Sequence, residues 1–185
     1  YELDERIRTL RKEVDYLIVI PHAGLESYSV PLKQFRHLYQ HWCDLGVDVV
    51  VGGHPHISQG IEQYGNSIIF YSLGNFFFTG FNGEIDTWTK GISCVLHFSE
   101  KGISYDVIQH RMNDECVSTV HTDINDIEAK NYILANDESY KKALKEQNAI
   151  AFEALPMRLY MSALNGTSSC DSLVTKIKKI IFYLI

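Results

Sequence analysis

Two short apolar runs, each preceded by an amphipathic helical pattern, constrain the fold of this 185-residue chain more than any other feature. In the first unit, apolar residues recur at helical spacing between Leu3 and Val14 and lead into "YLIVI", a run typical of a strand buried on both faces. In the second, a helical pattern begins at Pro31, ends at Gly46 and is followed by "VDVVVGG". Helix followed by strand, twice, predicts an α/β fold in which ligands bind beyond the C-terminal ends of parallel strands.

The rest of the chain divides into two hairpins and a helical part. "GIEQYGNSIIFYSLG" predicts a hairpin that turns at residues 65–66, and "GISCVLHFSEKGISYDVIQHRM" predicts a second one that turns at residues 101–102. The strand-like pattern then gives way to helical spacing. We therefore expect residues 1–122 to form a sheet-containing domain and residues 123–185 to form a helical extension packed on it.

Composition narrows the class of protein. With 45% hydrophobic and 22% charged residues, the chain can bury a core as one globular domain. A formal net charge of −6 gives no overall attraction to phosphate backbones, so nucleic acid is not an expected partner. The four cysteines form no CxxC pair, which argues against a structural zinc knot or a redox motif. No apolar run reaches the ~18 residues of a membrane span, so no transmembrane segment is expected.

Histidines follow both predicted parallel strands, in "PHAG" and in "GGHPH". Pro55 disfavours the α region for His54 and is expected to keep the dipeptide extended, while the preceding glycines allow a tight turn. Two imidazoles at this spacing can each bind one ion of a pair ~3.5–4 Å apart. Because His22 follows the neighbouring strand, the sequence predicts a metal site formed by His22, His54 and His56. The same spacing is also typical of a glycine turn that carries two solvated histidines.

The other histidines are expected to lie outside the site. His37 and His41 share a helix face, but the glutamate of a metalloprotease HExxH motif is absent between them, so both are interpreted as surface residues. His97, His110 and His121 stand alone on predicted strand or loop positions, and for each an ordinary structural or solvated histidine is the expectation.

The strings "PHAGLESYSVPL" and "LGVDVVVGGHPHISQGIEQYGNSIIFYSLGNFFF" resemble the bacterial CapA-like family of poly-gamma-glutamate capsule synthesis proteins, in the calcineurin-like metallophosphoesterase superfamily. The resemblance covers roughly Asp15 to Phe78. It implies the C-terminal part of a metallophosphoesterase-like α/β/β/α sandwich with added C-terminal helices. In an intact parent it also implies two divalent metal ions, manganese, zinc or iron, and the hydrolysis of phosphoesters.

The resemblance also implies roles for individual residues. His22 and His54 match ligands of the second metal, and His56 matches a ligand of the first. Glu26 and Asn75 match positions that the family shares and are assigned to substrate binding. A structural role stays open for both, because Glu26 could cap the helix that begins near Pro31 and Asn75 could close a turn.

Several elements of the family pattern are absent. The superfamily site also uses an aspartate and a histidine after the first strand, a bridging aspartate and an asparagine–histidine pair, and none of these precedes His22. The chain also opens in an amphipathic helix with neither an initiator methionine nor a signal peptide. We therefore expect the C-terminal piece of a longer polypeptide, or a split or decayed copy. Without the bridging anion the ions would repel each other, so the isolated chain is expected to be inactive.

Two functions follow as expectations. One is a role in capsule or poly-gamma-glutamate synthesis, with an anionic polymer or a phosphoester as substrate and the missing N-terminal half or a synthase subunit as partner. The alternative is a non-catalytic accessory subunit of an envelope polymer synthase, docked through "TKIKKIIFYLI", a tail that is also typical of an ordinary core-packing helix. The family resemblance favours the cell envelope, while the missing signal peptide leaves the cytoplasm open.

Overall fold

The structure, a computed structural model, describes residues 2–78, 86–113, 116–120 and 125–154. Within these ranges the helices are α1 (Glu2–Leu10), α2 (Lys33–Asp44), α3 (Asn125–Ala135) and α4 (Asp137–Ala154), with a 3-10 turn at Asp86–Thr89. The strands are β1 (Ile18–Val19), β2 (Val49–Val51), β3 (Ile61–Tyr64), β4 (Ser67–Phe70), β5 (Lys90–Ser99), β6 (Gly102–Met112) and β7 (Val117–Thr119). The predicted tail contact "TKIKKIIFYLI" and His121 lie outside the described residues.

The first sheet carries the two predicted helix–strand units. Its strand order is β1-β2-β4-β3. Strands β1, β2 and β4 are parallel, and β3 runs antiparallel to β4 through the predicted turn at residues 65–66. Gly65 adopts a φ of 55° there, which suits glycine because it has no Cβ. The α/β fold class is therefore confirmed.

The second sheet is antiparallel, with the order β5-β6-β7. The long β5–β6 hairpin is present, but it turns at residues 100–101, one residue before the predicted position, because Ser99 pairs with Gly102. An isolated bridge between Gly74 and Gly91 joins the end of the first sheet to β5. This link brings the residues after β4 next to the second sheet.

Apolar side chains form two cores, one on each face of the first sheet. On the helical face, Tyr39 and Trp42 of α2 pack with Val50, Tyr71 and Leu134. The inter-sheet core lies on the other face and consists of Val49, Ile61, Ile68, Phe70, Ile92 and Ile127. Burying each side chain of this size contributes about 1.5–3 kcal/mol, so these two cores supply the main stabilisation of the fold.

A polar cluster ties the helices to β3. The Arg36 guanidinium donates to Glu62 Oε1 at 2.7 Å and to the Leu134 carbonyl at 2.8 Å. The Tyr71 hydroxyl also donates to the Glu62 carboxylate, and the Arg36 guanidinium lies 4.7 Å from the centre of the Tyr140 ring. A buried ion pair of this kind needs such additional hydrogen bonds to offset its desolvation.

Strand β1 differs from its prediction on one face. The sequence indicated burial on both faces, and Leu17 and Val19 do pack into the core on the helical face. Ile18 is 39% exposed and Ile20 is 77% exposed. Double burial is therefore wrong for β1, because the inter-sheet core of the described residues includes Val49 of β2 but neither Ile18 nor Ile20.

Helices α3 and α4 pack on the sheet-containing part of the fold. Leu134 of α3 and Tyr140 of α4 belong to the core on the helical face, and Ile127 of α3 belongs to the inter-sheet core. Among the helices of the described residues, none combines the length and the apolar character that crossing a membrane requires.

Candidate metal centre

The candidate site is built where β1 and β2 end side by side. His22 and Gly53 form a parallel bridge just beyond the two strands. The Ala23 amide donates to the Gly53 carbonyl at 3.1 Å, and the Gly53 amide donates to the Pro21 carbonyl at 2.9 Å. These backbone hydrogen bonds hold the "PHAG" segment against the "GGHPH" segment, as expected for parallel strands whose C-terminal ends share one edge.

Three imidazoles meet at this edge. The ring centres of His22 and His54 are 5.0 Å apart, and those of His54 and His56 are 5.7 Å apart. The His54 ring therefore has the other two imidazoles as direct neighbours. The structure thus brings together the three histidines singled out in the sequence, and their role as metal ligands stays a prediction.

The backbone of the "GGHPH" turn is not extended. His54 has a φ of 97° and His56 a φ of 63°, in the left-handed region that residues other than glycine rarely adopt. The extended conformation expected for His54 is therefore wrong, because Pro55 disfavours only the right-handed α region. Such conformations persist where the surrounding contacts enforce them, and they cluster at functional sites.

Asn75 fixes the orientation of the His56 ring. Its side-chain nitrogen donates to the Trp88 carbonyl at 3.0 Å, which turns its Oδ1 toward His56 Nδ1 at 2.9 Å. His56 therefore donates from Nδ1 and keeps the lone pair of Nε2 available. A carbonyl-type acceptor behind a histidine is the usual arrangement for a metal-binding imidazole. The alternative that the Asn75 side chain closes a turn is therefore wrong, because its amide oxygen and nitrogen contact His56 and Trp88.

Glu26 lies at the exposed side of the site. Its Oε1 is 3.9 Å from His56 Nε2, and its side chain is 58% exposed. The alternative that Glu26 caps the following helix is wrong, because α2 begins after Leu32 and has no side-chain cap. Glu26 therefore presents a carboxylate beside the nitrogen of His56 that Asn75 leaves free.

The electrostatic surroundings favour a neutral His54. Burial lowers the pKa of the His54 imidazole below its ordinary value, and the neighbouring His22 lowers it further. A neutral imidazole is the form that donates a lone pair to a metal ion. At neutral pH the electrostatics of the site thus agree with the donor role predicted for His54.

The donor atoms of these residues suit a metal ion in their chemistry, but the described residues do not arrange them as a metal site. Imidazole nitrogens suit zinc and iron, and a carboxylate suits manganese. In the described part of the chain, however, no group of three or more His, Cys, Asp or Glu side chains is arranged so that it could hold a metal ion by itself. The three imidazoles and Glu26 are therefore at most part of a donor set.

Three further residues support the site and were not found from the sequence. The Trp88 ring stacks on His56 at 4.5 Å, and its indole nitrogen donates to Ser27 Oγ. His110 is buried, and its Nε2 lies 3.1 Å from the Asn75 carbonyl oxygen. A Cβ on Gly91 would lie 2.3 Å from the Asn75 carbonyl oxygen, so a glycine is needed there. No local pattern links these residues to "GGHPH", because they follow it by more than 30 positions.

Three other histidines of the described residues are exposed, and two surface predictions are confirmed. His37 is exposed. His41 is also exposed and lies 3.2 Å from an Asp4 carboxylate oxygen. His97 is exposed too, with its Nε2 2.7 Å from Asp106 Oδ2 across the β5–β6 hairpin.

Comparisons with known proteins point to one family. Residues 1–80 match the family model described as "Bacterial capsule synthesis protein PGA_cap". A stretch of 72 residues is 42% identical to "PGA biosynthesis protein CapA" of Bacillus subtilis and covers 39% of this chain. A stretch of 64 residues is 42% identical to "Capsule biosynthesis protein CapA" of Bacillus anthracis and covers 35% of this chain. An uncharacterized protein of Sinorhizobium fredii is 57% identical over 74 residues, or 39% of this chain.

These matches support a CapA-like family for the part of the chain that they cover. That part contains β1 to β4 and the three histidines, and it leaves out β5 to β7 and helices α3 and α4. The stretches aligned with the relatives amount to 19% of the Bacillus subtilis protein and 16% of the other two. The matched region is thus less than a fifth of the length of each of these relatives.

Proposed function

We propose that this chain is part of a CapA-like protein of capsule or poly-gamma-glutamate synthesis, with a two-metal site of the metallophosphoesterase type. The observation that carries the proposal is the convergence of His22, His54 and His56, with neighbouring ring centres 5.0 and 5.7 Å apart. Two relatives named as PGA or capsule biosynthesis proteins support the biological role.

In this proposal the chain's own residues hold and orient ligands. His22, His54 and His56 act as neutral nitrogen donors, and Asn75 is a positioning residue that fixes the tautomer of His56. Asn75 is only 8% exposed and both ends of its amide are engaged, so we assign it to His56 rather than to the substrate. Glu26 faces the open side, where a substrate or a further ion would arrive.

Hydrolysis in this proposal requires a metal site with its full set of donors. Two divalent ions bound there would supply Lewis acidity and an activated water for the hydrolysis of a phosphoester. The described residues do not form a complete donor set, so in this proposal the further donors come from residues outside the described part of the chain or from other polypeptide. We therefore expect this chain alone to show no phosphoesterase activity with added Mn²⁺, although it still binds metal weakly.

Metal titration tests the proposal. We expect the chain to bind Co²⁺ or Zn²⁺ in calorimetric titrations and to develop a visible Co²⁺ absorption band typical of nitrogen ligands. His54→Ala should weaken this affinity by at least about tenfold, because it removes the imidazole that lies between the other two. The matched control is His97→Ala, because His97 is exposed and its Nε2 lies 2.7 Å from Asp106 Oδ2 on the second sheet.

Two results would contradict the proposal. Equal metal affinity for the His54→Ala and His97→Ala variants would show that the three imidazoles are not the ligands. Hydrolysis of a phosphoester by the isolated chain, abolished in His54→Ala, would show that the donor set is complete after all.

A second candidate function is a non-catalytic accessory subunit. The incomplete donor set of the described residues favours it, because a docking protein has no need of a working metal site. A triple variant distinguishes the two candidate functions. If His22, His54 and His56 are all replaced by alanine, an accessory subunit still binds its partner, whereas a metal-dependent protein loses its function.

A further inference from the structure

Trp88 lies beside the candidate site but outside the part of the chain that the family model matches. That part ends at residue 80, whereas Trp88 belongs to the 3-10 turn Asp86–Thr89, directly before β5. The bridge between Gly74 and Gly91 places the start of β5 next to the segment that carries Asn75. The family match therefore gives no role for Trp88.

Trp88 orients the His56 imidazole in two ways. Its ring stacks on the His56 ring, with centres 4.5 Å apart and planes at 28° to each other. Its carbonyl accepts a hydrogen bond from the Asn75 side-chain nitrogen at 3.0 Å, and Asn75 Oδ1 lies 2.9 Å from His56 Nδ1. The stacking restricts the plane of the imidazole, and the hydrogen bonds through Asn75 set its tautomer.

Trp88 also contacts the loop that follows His22. Its indole nitrogen donates to Ser27 Oγ at 2.9 Å. Ser27 has a φ of 64°, in the left-handed region, and its amide donates to the Pro55 carbonyl at 2.9 Å. Such a conformation persists only where surrounding contacts enforce it. The Trp88 indole and the Pro55 carbonyl provide two of these contacts.

The Glu26 carboxylate does not fix its own position relative to His56. Glu26 Oε1 lies 3.9 Å from His56 Nε2, which is longer than a hydrogen bond. The Glu26 side chain is also 58% exposed, and an exposed ion pair contributes little. The separation therefore depends on what holds Ser27, the next residue in the chain, and on what holds the His56 ring. Trp88 contacts both.

We propose that Trp88 is a positioning residue of the candidate site. It contacts the Ser27 hydroxyl and the His56 ring at the same time, and so couples the loop that carries Glu26 to the imidazole. Site residues need a supporting set of contacts that restricts their orientation. This role rests on the proposed function, because that function makes His56 and Glu26 site residues.

Amide hydrogen exchange tests the loop side of this role. EDTA is present throughout, so the result does not depend on metal binding. Trp88→Phe keeps an aromatic ring but removes the indole N–H. We expect it to raise the amide exchange rate at position 27 about three- to tenfold, because one hydrogen bond no longer opposes opening of the loop. Ser27→Ala removes the same hydrogen bond, so the double variant should exchange no faster than the faster single variant.

Nuclear magnetic resonance of the His56 ring tests the coupling. Ser27→Ala should shift the ring proton resonances of His56, because the released Trp88 indole changes its position over the imidazole. In the Trp88→Phe background, Ser27→Ala should leave these resonances unchanged, because the hydrogen bond between the two residues is already lost. Two independent structural effects would add instead.

The matched control is Trp42→Phe, the same substitution at the other of the two tryptophans. Trp42 is 2% exposed in the core on the helical face. Trp42→Phe should lower the global stability but change the exchange rate at position 27 by less than about twofold. Far-ultraviolet circular dichroism should show every variant folded.

Two outcomes would overturn the proposal. One is an equal exchange rate at position 27 in Trp88→Phe and Trp42→Phe, since the indole N–H would then not hold the loop. The other is an equal shift of the His56 resonances by Ser27→Ala with and without the Trp88 indole. If both expected results are obtained and the chain binds no metal, the coupling through Trp88 stands and the proposed metal site does not.

Discussion

At the scale of single residues, the candidate site depends on Asn75 as much as on the histidines. Its amide is oriented by the Trp88 carbonyl, and its backbone carbonyl lies 3.1 Å from His110 Nε2. Asn75 Oδ1 therefore has a set position from which to accept the His56 Nδ1 proton. An imidazole held in this way loses less freedom when it binds a metal ion.

Replacing Asn75 tests this role. We expect Asn75→Ala to lower the affinity for Zn²⁺ or Co²⁺ by about 10–100-fold, because His56 loses the acceptor that sets its tautomer. The loss of two hydrogen bonds should also lower the free energy of unfolding by about 1–3 kcal/mol. Calorimetric titration and chemical denaturation measure the two effects separately.

The control for this variant is Asn66→Ala, in the exposed β3–β4 turn. Its metal affinity should equal that of the unchanged chain. If Asn75→Ala binds metal as tightly as Asn66→Ala, then Asn75 has only a structural role.

At the scale of elements, the two glycines after β2 differ in how closely their Cα atoms approach neighbouring backbone. The Gly52 amide donates to the Phe70 carbonyl at 2.7 Å, and its carbonyl accepts from Leu73. A Cβ on Gly52 would lie 2.2 Å from the Tyr71 carbonyl oxygen. A Cβ on Gly53 would meet only ordinary contacts, with His22 Nδ1 at 3.7 Å.

This difference predicts unequal effects of one substitution at adjacent positions. Gly52→Ala should lower the free energy of unfolding by about 1–3 kcal/mol, because the backbone at Tyr71, directly after β4, must move away from the new methyl group. Gly53→Ala should change it by less than about 0.5 kcal/mol. Urea denaturation measures the stability of both variants, and equal stabilities would contradict the close approach of Gly52 to the Tyr71 carbonyl.

At the scale of the whole molecule, α4 holds the segment that follows His22. Gln147 Oε1 accepts hydrogen bonds from the Ser29 amide, the Ser29 hydroxyl and the Val30 amide. The Tyr140 hydroxyl of the same helix donates to the Pro31 carbonyl at 2.9 Å. Helix α4 lies outside the region matched by the family model, yet it stabilises the loop on which Glu26 lies.

Removing this contact should loosen the loop without unfolding the protein. We expect Gln147→Ala to raise the amide hydrogen-exchange rates of Ser29 and Val30 by about tenfold, because opening the loop then costs roughly one hydrogen-bond energy less. Glu146→Ala is the control, since Glu146 makes only an exposed ion pair 3.9 Å from Lys142. Equal exchange in the two variants would show that α4 does not hold the loop.

The sequence determined the features that depend on neighbours in the chain. Apolar periodicity predicted the helix–strand units, and the glycine turns predicted both hairpins. The positions of His22, His54 and His56 could be inferred for a related reason: each follows a predicted parallel strand, and the ends of such strands meet at one edge.

Only the tertiary structure decided the features that depend on residues far apart in the chain. The left-handed backbone of His54 and His56 arises where the "GGHPH" turn is held against the "PHAG" segment. The support of His56 comes through Asn75, 19 positions later, and that of Asn75 through His110, another 35 positions on. The exposure of Ile18 and Ile20 on one face of β1 is also a tertiary feature, because "YLIVI" favours burial on both sides and the inter-sheet core extends to Val49 of β2 but not to these two residues. Periodicity in the sequence indicates how apolar one face of a strand is. Whether another element covers that face depends on packing between segments that are distant in the chain.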